Sequence, residues 1–89
     1  MADMMLEFKV MPEGEVEYSE VESAVKSLVE GYDASVKIKE MGSEPIGFGL
    51  QAVKIKFQLD ENLGSEDIEN KLNELEIVGD VEITLMDRL

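Results

Sequence analysis

The sequence predicts an α+β fold of order β-α-β-β-α-β, and three observations carry that prediction. Four stretches alternate apolar and polar residues as half-buried strands do, two others repeat apolar residues at helical spacing, and the six fall into two similar halves. A strand-helix-strand unit made twice is the split βαβ, or ferredoxin-like, arrangement. Right-handed crossovers then put both helices on one side of a four-stranded antiparallel sheet, so that the inward faces of sheet and helices meet at a single interface.

Each element follows from its residues. From Met5 to Met11, Leu6, Phe8 and Val10 point one way, Glu7 and Lys9 the other, and Pro12 closes the run. Glu13 to Glu17 is acidic and turn-like. Ser19 and Glu22 have the spacing of a capping box, and Val21, Ala24, Val25, Leu28 and Val29 then share one helical face, with Gly31 as the expected stop. Val36 and Ile38 alternate with Lys37 and Lys39 in a second strand. A third runs from Leu50 to Leu59, with Val53, Ile55, Phe57 and Leu59 on one face and Lys54, Lys56 and Gln58 on the other. Asp60 to Gly64 is turn chemistry. Ser65 opens a second helix with Glu66 and Asp67 in its first turn, where negative charge suits the dipole, and Ile68, Leu72 and Leu75 form its stripe. After a turn at Gly79-Asp80, Val81, Ile83 and Leu85 face inward and Glu82, Thr84 and Met86 outward.

Composition narrows the function. Eighty-nine residues suit one domain, 1–89, that buries roughly 60–65% of its unfolded surface. No run approaches the ~20 apolar residues of a membrane span, the acidic start lacks the basic region of a secretory signal, and cysteine is absent, so a cytoplasmic protein is expected. Eight basic against twenty-one acidic residues leave a net charge of −13, which repels phosphate backbones and anionic membranes and favours a basic protein partner. Adaptation to high intracellular salt gives the same composition. With neither histidine nor cysteine, the usual general base and nucleophile pairs are missing, and enzyme chemistry would have to rest on carboxylates, lysines, hydroxyls or the single arginine.

Several constellations were weighed against this background. Lys9, Lys37, Lys39, Lys54 and Lys56 fall on the uncovered sheet face, where they solvate it and discourage edge pairing, while the acids gather on helices, turns and strand ends. Base-stacking RNA recognition needs exposed aromatics on the central strands, but Phe8 and Phe57 alternate inward. Asp60, Glu61, Asn62, Glu66 and Asp67 form an oxygen-rich cluster, yet the spacing misses the calcium-loop pattern and Lys71 stands where its closing Glu belongs. Two features remain. Pro45, Gly47 and Gly49 surround Phe48 in a segment that reads either as a bulged edge with Phe48 turned inward or as a loop presenting it. Arg88, the only arginine, is a permanent cation one residue from Leu89 at the end.

Pro45-Ile46-Gly47-Phe48-Gly49-Leu50, then Lys54-Ile55-Lys56-Phe57, and the ending Thr84-Leu85-Met86-Asp87-Arg88-Leu89 together resemble the elongation factor 1-beta family over essentially the whole length. The likeness is to the free-standing archaeal form and equally to the C-terminal exchange domain of the eukaryotic proteins. It implies a guanine-nucleotide exchange factor for the translation GTPase elongation factor 1-alpha, with no cofactor, no direct nucleic-acid contact, and a monomer when free. In relatives a basic residue one before the end enters the GTPase near its magnesium site, and Arg88 holds that position. Eukaryotic relatives typically have lysine there, so Arg88 keeps the charge but not the donor geometry. The resemblance also implies partner contacts by Phe48, shaped by Pro45, Gly47 and Gly49, and by Leu89, with Phe48 and Arg88 acting jointly on one partner. The alternative is a small-ligand regulatory module of the same fold that dimerises through its sheet.

Overall fold

The structure is a computed structural model that describes residues 2–47 and 49–89. Its elements are β1 (Asp3–Pro12), α1 (Tyr18–Tyr32), β2 (Lys37–Gly47), β3 (Leu50–Asp60), a short 3-10 turn (Glu61–Leu63), α2 (Glu66–Asn73) and β4 (Val78–Arg88). The four strands form one antiparallel sheet in the order β2-β3-β1-β4. The predicted ferredoxin-like α+β arrangement is therefore the one observed.

The alternation read in β1 and β3 is the core. Leu6, Phe8 and Val10 stand beside Phe57, Ile55 and Val53 across the central ladder, and all six are fully buried. The Phe8 and Phe57 rings lie 5.7 Å apart, tilted by 41°, a geometry worth about 0.5–1.5 kcal/mol beyond their area burial. Val21, Val25 and Val29 of α1 and Ile68 and Leu72 of α2 cover this face. Each fully buried aliphatic or aromatic side chain contributes about 1.5–3 kcal/mol, which is why one interface suffices for a short chain.

The ends of the elements differ from expectation. No capping box forms at Ser19: α1 begins at Tyr18, its N-cap Glu17 makes no side-chain bond, and Glu22 accepts instead from the Tyr18 hydroxyl at 2.7 Å. Gly31 does not stop α1, which runs on through Tyr32 to an extended Asp33. Ser65 does open α2 as expected, standing as its N-cap without a side-chain capping bond. Pro45 lies inside β2 opposite Gln51, tolerated because β2 is an edge strand and its missing N–H breaks no inner ladder. Gly79-Asp80 is strand rather than turn, because a shift between Met11 and Pro12 lets β4 start at Val78. A Cβ at Gly79 would sit 2.9 Å from the Pro12 carbonyl oxygen, so the strands approach there only because the residue is glycine.

Two further bulges re-aim side chains. On β2 the register moves from Ile38 opposite Phe57 to Glu40 opposite Lys56, and Lys39 is the extra residue. Lys39 therefore leaves the ladder that aligns Lys9, Lys37, Lys54 and Lys56, and Glu40 takes its row. On β4 the register moves from Glu7 opposite Leu85 to Phe8 opposite Ile83, leaving Thr84 as the extra residue. Leu85 consequently joins Glu7 on the open face rather than continuing the inward row of Val81 and Ile83.

The open face is charge-paired, not a lysine stripe. Lys9 Nζ lies 2.8 Å from a Glu44 oxygen and Lys54 Nζ 3.4 Å from Glu7, with the other Glu44 oxygen at 4.0 Å. The Lys9 contact holds the Glu44 carboxyl below its ordinary range, and Glu44 in turn raises the Lys9 ammonium. Glu7 and Glu82 face this side as the alternation predicted, and two further acids come from β2: the bulge sets Glu40 opposite Lys56, and Glu44, opposite Ala52, reaches Lys9 and Lys54 through its side chain.

Candidate functional site

Arg88 is the last residue of β4, opposite Met4 of β1. Directly opposed residues share a face, so the Thr84 bulge puts Met86 (opposite the buried Leu6) and Arg88 on the helix side of the sheet. The Thr84 hydroxyl lies 2.8 Å from Glu7 Oε1 and 3.2 Å from the Glu7 carbonyl oxygen, which pins the bulge to β1. Beyond Arg88 the ladder holds to the end: the Leu89 N–H donates to the Asp3 carbonyl at 3.0 Å. The backbone is fixed, whereas the Arg88 side chain is 86% exposed. Met86 and Leu89, at 54% and 62%, are the large exposed apolar side chains among the described residues, and both lie at this end.

The turn after β3 completes the end. Asp60 accepts the Asn62 N–H at 2.9 Å, the Gly64 N–H donates to the Glu61 carbonyl, and Gly64 takes a left-handed φ of 67°. The Glu61 N–H donates to the Ala2 carbonyl at 3.1 Å, which ties the turn to the start of β1. A Glu61 carboxylate oxygen then lies 3.7 Å from Arg88 Nε. Met4, Glu61, Gly64, Ser65, Met86 and Arg88 line a shallow groove of about 340 Å³. Among the described residues no three acids gather as a metal site. The members of the sequence cluster are engaged separately: Asp60 in the turn, Glu61 with Arg88, and Asp67 accepting the Tyr32 hydroxyl at 2.9 Å. Burial and that bond to Asp67 raise the Tyr32 phenol.

The hairpin between β2 and β3 forms the other end. Gly47 and Gly49 both have positive φ, 102° and 76°, and Gly47 stands opposite Leu50 after a shift that leaves Ile46 unpaired. Phe48, the expected contact residue, lies outside the described residues. Gly49 and Leu50 share a shallow groove of about 280 Å³ with Val16 of the loop that enters α1 and Tyr18, the first residue of that helix. The Tyr18 phenol is pushed up to about 12, first by burial and then by its bond to Glu22.

The expected partners Arg88 and the Pro-Gly-Phe-Gly segment are thus not neighbours. Arg88 is level with Met4 and Leu59, while the hairpin turns beyond Leu50. Nine residues of strand separate the levels, about 30 Å at 3.3 Å per residue, in a body 43 × 20 × 17 Å. One small surface cannot meet both groups; joint action requires a partner that reaches from end to end. Sequence reading did not place Met4, Glu61, Thr84 and Met86 around Arg88, because a bulge in β4 and a turn folded back on β1 leave no periodic signal.

Comparison with known proteins bears out the family resemblance of the sequence. Residues 5–89 match the family described as the EF-1 guanine nucleotide exchange domain. The chain is 38% identical to elongation factor 1-beta of Methanococcus maripaludis over 93% of both chains. It is 34% identical to elongation factor 1-beta of Methanocaldococcus jannaschii over 92% of both, and 33% identical to that of Staphylothermus marinus over 100% of this chain and 99% of the relative. No helix among the described residues is long and apolar enough to cross a membrane. The chain belongs to the EF-1 guanine nucleotide exchange domain family.

Proposed function

We propose that this chain promotes release of GDP from the translation GTPase elongation factor 1-alpha, with Arg88 as the group that enters near the bound magnesium. The observation that carries the reading is the exposed guanidinium at the end of a strand whose backbone is hydrogen-bonded through its last N–H. Leu89 and Met86 flank it as apolar contacts, and the hairpin end, with Pro45, Gly47, Gly49 and Phe48, takes a second, distant part of the same partner. Magnesium ties the nucleotide phosphates to the switch elements of such GTPases. A unit charge 4 Å from another at an effective dielectric of 20 costs or gains about 4 kcal/mol, roughly a thousandfold in an equilibrium constant. A cation delivered beside the metal therefore weakens metal binding enough to free the nucleotide, and no bond is made or broken. By linkage the factor binds the empty GTPase more tightly than the loaded one, by the ratio in which it weakens GDP.

The test is release of labelled GDP from elongation factor 1-alpha. Arg88→Ala, and removal of Arg88-Leu89, are expected to slow exchange at least about tenfold. The melting temperature of Arg88→Ala should stay within about 4 °C of the parent, since exposed substitutions change stability by no more than about 0.5 kcal/mol. Unchanged exchange in Arg88→Ala removes this residue from the mechanism. The charge-paired sheet face offers no exposed apolar patch for a sheet-to-sheet dimer among the described residues, so nothing favours the alternative of a dimeric ligand-binding module.

A further inference from the structure

We propose that Glu61 is a positioning residue for Arg88: it holds the guanidinium by its Nε edge so that the two terminal NH2 groups face outward. The inference rests on the exchange reading for its kinetic consequence but on geometry for its substance. Glu61 and Arg88 are 27 positions apart in sequence, yet each is tied to one of two adjacent residues of β1's approach. The Glu61 N–H donates to the Ala2 carbonyl, and Leu89, next to Arg88, donates to the Asp3 carbonyl. Both backbones are thereby fixed against the same anchor, and the side-chain contact at 3.7 Å follows from the fold.

The Glu61 side chain is 32% exposed against 86% for that of Arg88, so the acid is the more enclosed member of the pair and the base the more accessible. Such a pair adds little to stability in water. Its effect is on rotamers. A free arginine side chain loses rotamer entropy when it is fixed on a partner, and a contact that already limits its torsions removes part of that loss. Contact through Nε leaves the fork of terminal donors unspent, which contact through the terminal nitrogens would not. A lysine in this place has no donor at the depth of Nε and is not steered in this way.

The experiment uses the full chain and two readouts. In the first, the order parameter of the Arg88 Nε–Hε group is measured by 15N relaxation; it should fall in Glu61→Gln, which keeps the shape of the side chain but not its charge. In the second, GDP release from elongation factor 1-alpha should slow about two- to five-fold in Glu61→Gln, the range of an exposed ion pair. The same substitution in an Arg88→Lys background should change the rate less than 1.5-fold. An unchanged order parameter overturns the proposal, as does acceleration by Glu61→Gln or an equal slowing in the lysine background. A parent protein that does not release GDP at all defeats the exchange reading instead, and the relaxation result then still decides the geometry.

Discussion

Strict alternation from Val81 would carry Arg88 to the open face, beside the ion pairs of Glu7 and Lys54. One extra residue at Thr84 reverses that parity, and its hydroxyl fastens the reversal to Glu7 at 2.8 Å. Thr84→Val keeps the branched shape and removes the hydroxyl. It should cost about 0.5–1.5 kcal/mol in urea unfolding, and it should slow GDP release because the bulge that aims Arg88 is no longer pinned. Thr84→Ser should restore most of both. At Gly79 the constraint is steric rather than polar. Gly79→Ala sets a methyl 2.9 Å from the Pro12 carbonyl oxygen, a backbone atom that cannot swing away. The expected destabilisation is about 1–3 kcal/mol, read from the same denaturation curves.

At the scale of elements, β1 and β3 were legible because they are central strands covered on one side, and nothing competes with period-two burial there. Both edge strands carry bulges, at Lys39 and Thr84, and a shift of one residue costs the pattern its meaning without changing its letters. The start of α1 was misread while that of α2 at Ser65 was not: Ser19 and Glu22 have capping-box spacing, but the Tyr18 hydroxyl bonds Glu22 and the N-cap is Glu17, two residues before Ser19. The aromatic hairpin and the terminal arginine were found as residues, while their separation was not, since only the register places them. Tyr18 supplies a pH test of α1. Its folded value of about 12 exceeds the ordinary 10, so the folded state holds the phenolic proton after the unfolded chain has lost it. Stability contributed by Tyr18 is full below pH 10 and declines between about pH 10 and 12, which ultraviolet titration and parallel unfolding curves can follow. Glu44 behaves in the opposite sense, its contribution fading as pH falls below the ordinary carboxylate value.

At the scale of the whole molecule, an elongated body carries a cation at one end and a glycine-flanked hairpin at the other, so the two proposed contacts are separated by its length. A net charge of −13 is electrostatically complementary to a basic surface, and the sheet keeps the two ends about 30 Å apart whatever the side chains do. Groups that far apart and without shared neighbours contribute independently, within about 0.3–0.5 kcal/mol. That separation makes a kinetic prediction. If the hairpin end serves binding alone, as proposed, Phe48→Ala should raise the concentration of factor needed for half-maximal GDP release and leave the saturated rate nearly intact. Arg88→Ala should lower the saturated rate and change the half-maximal concentration little. In the double variant the two losses in log rate at low concentration should add, within about a factor of two. A double variant no worse than the poorer single one would mean that the hairpin matters only by bringing Arg88 to its target, so that with the cation gone its grip contributes nothing further.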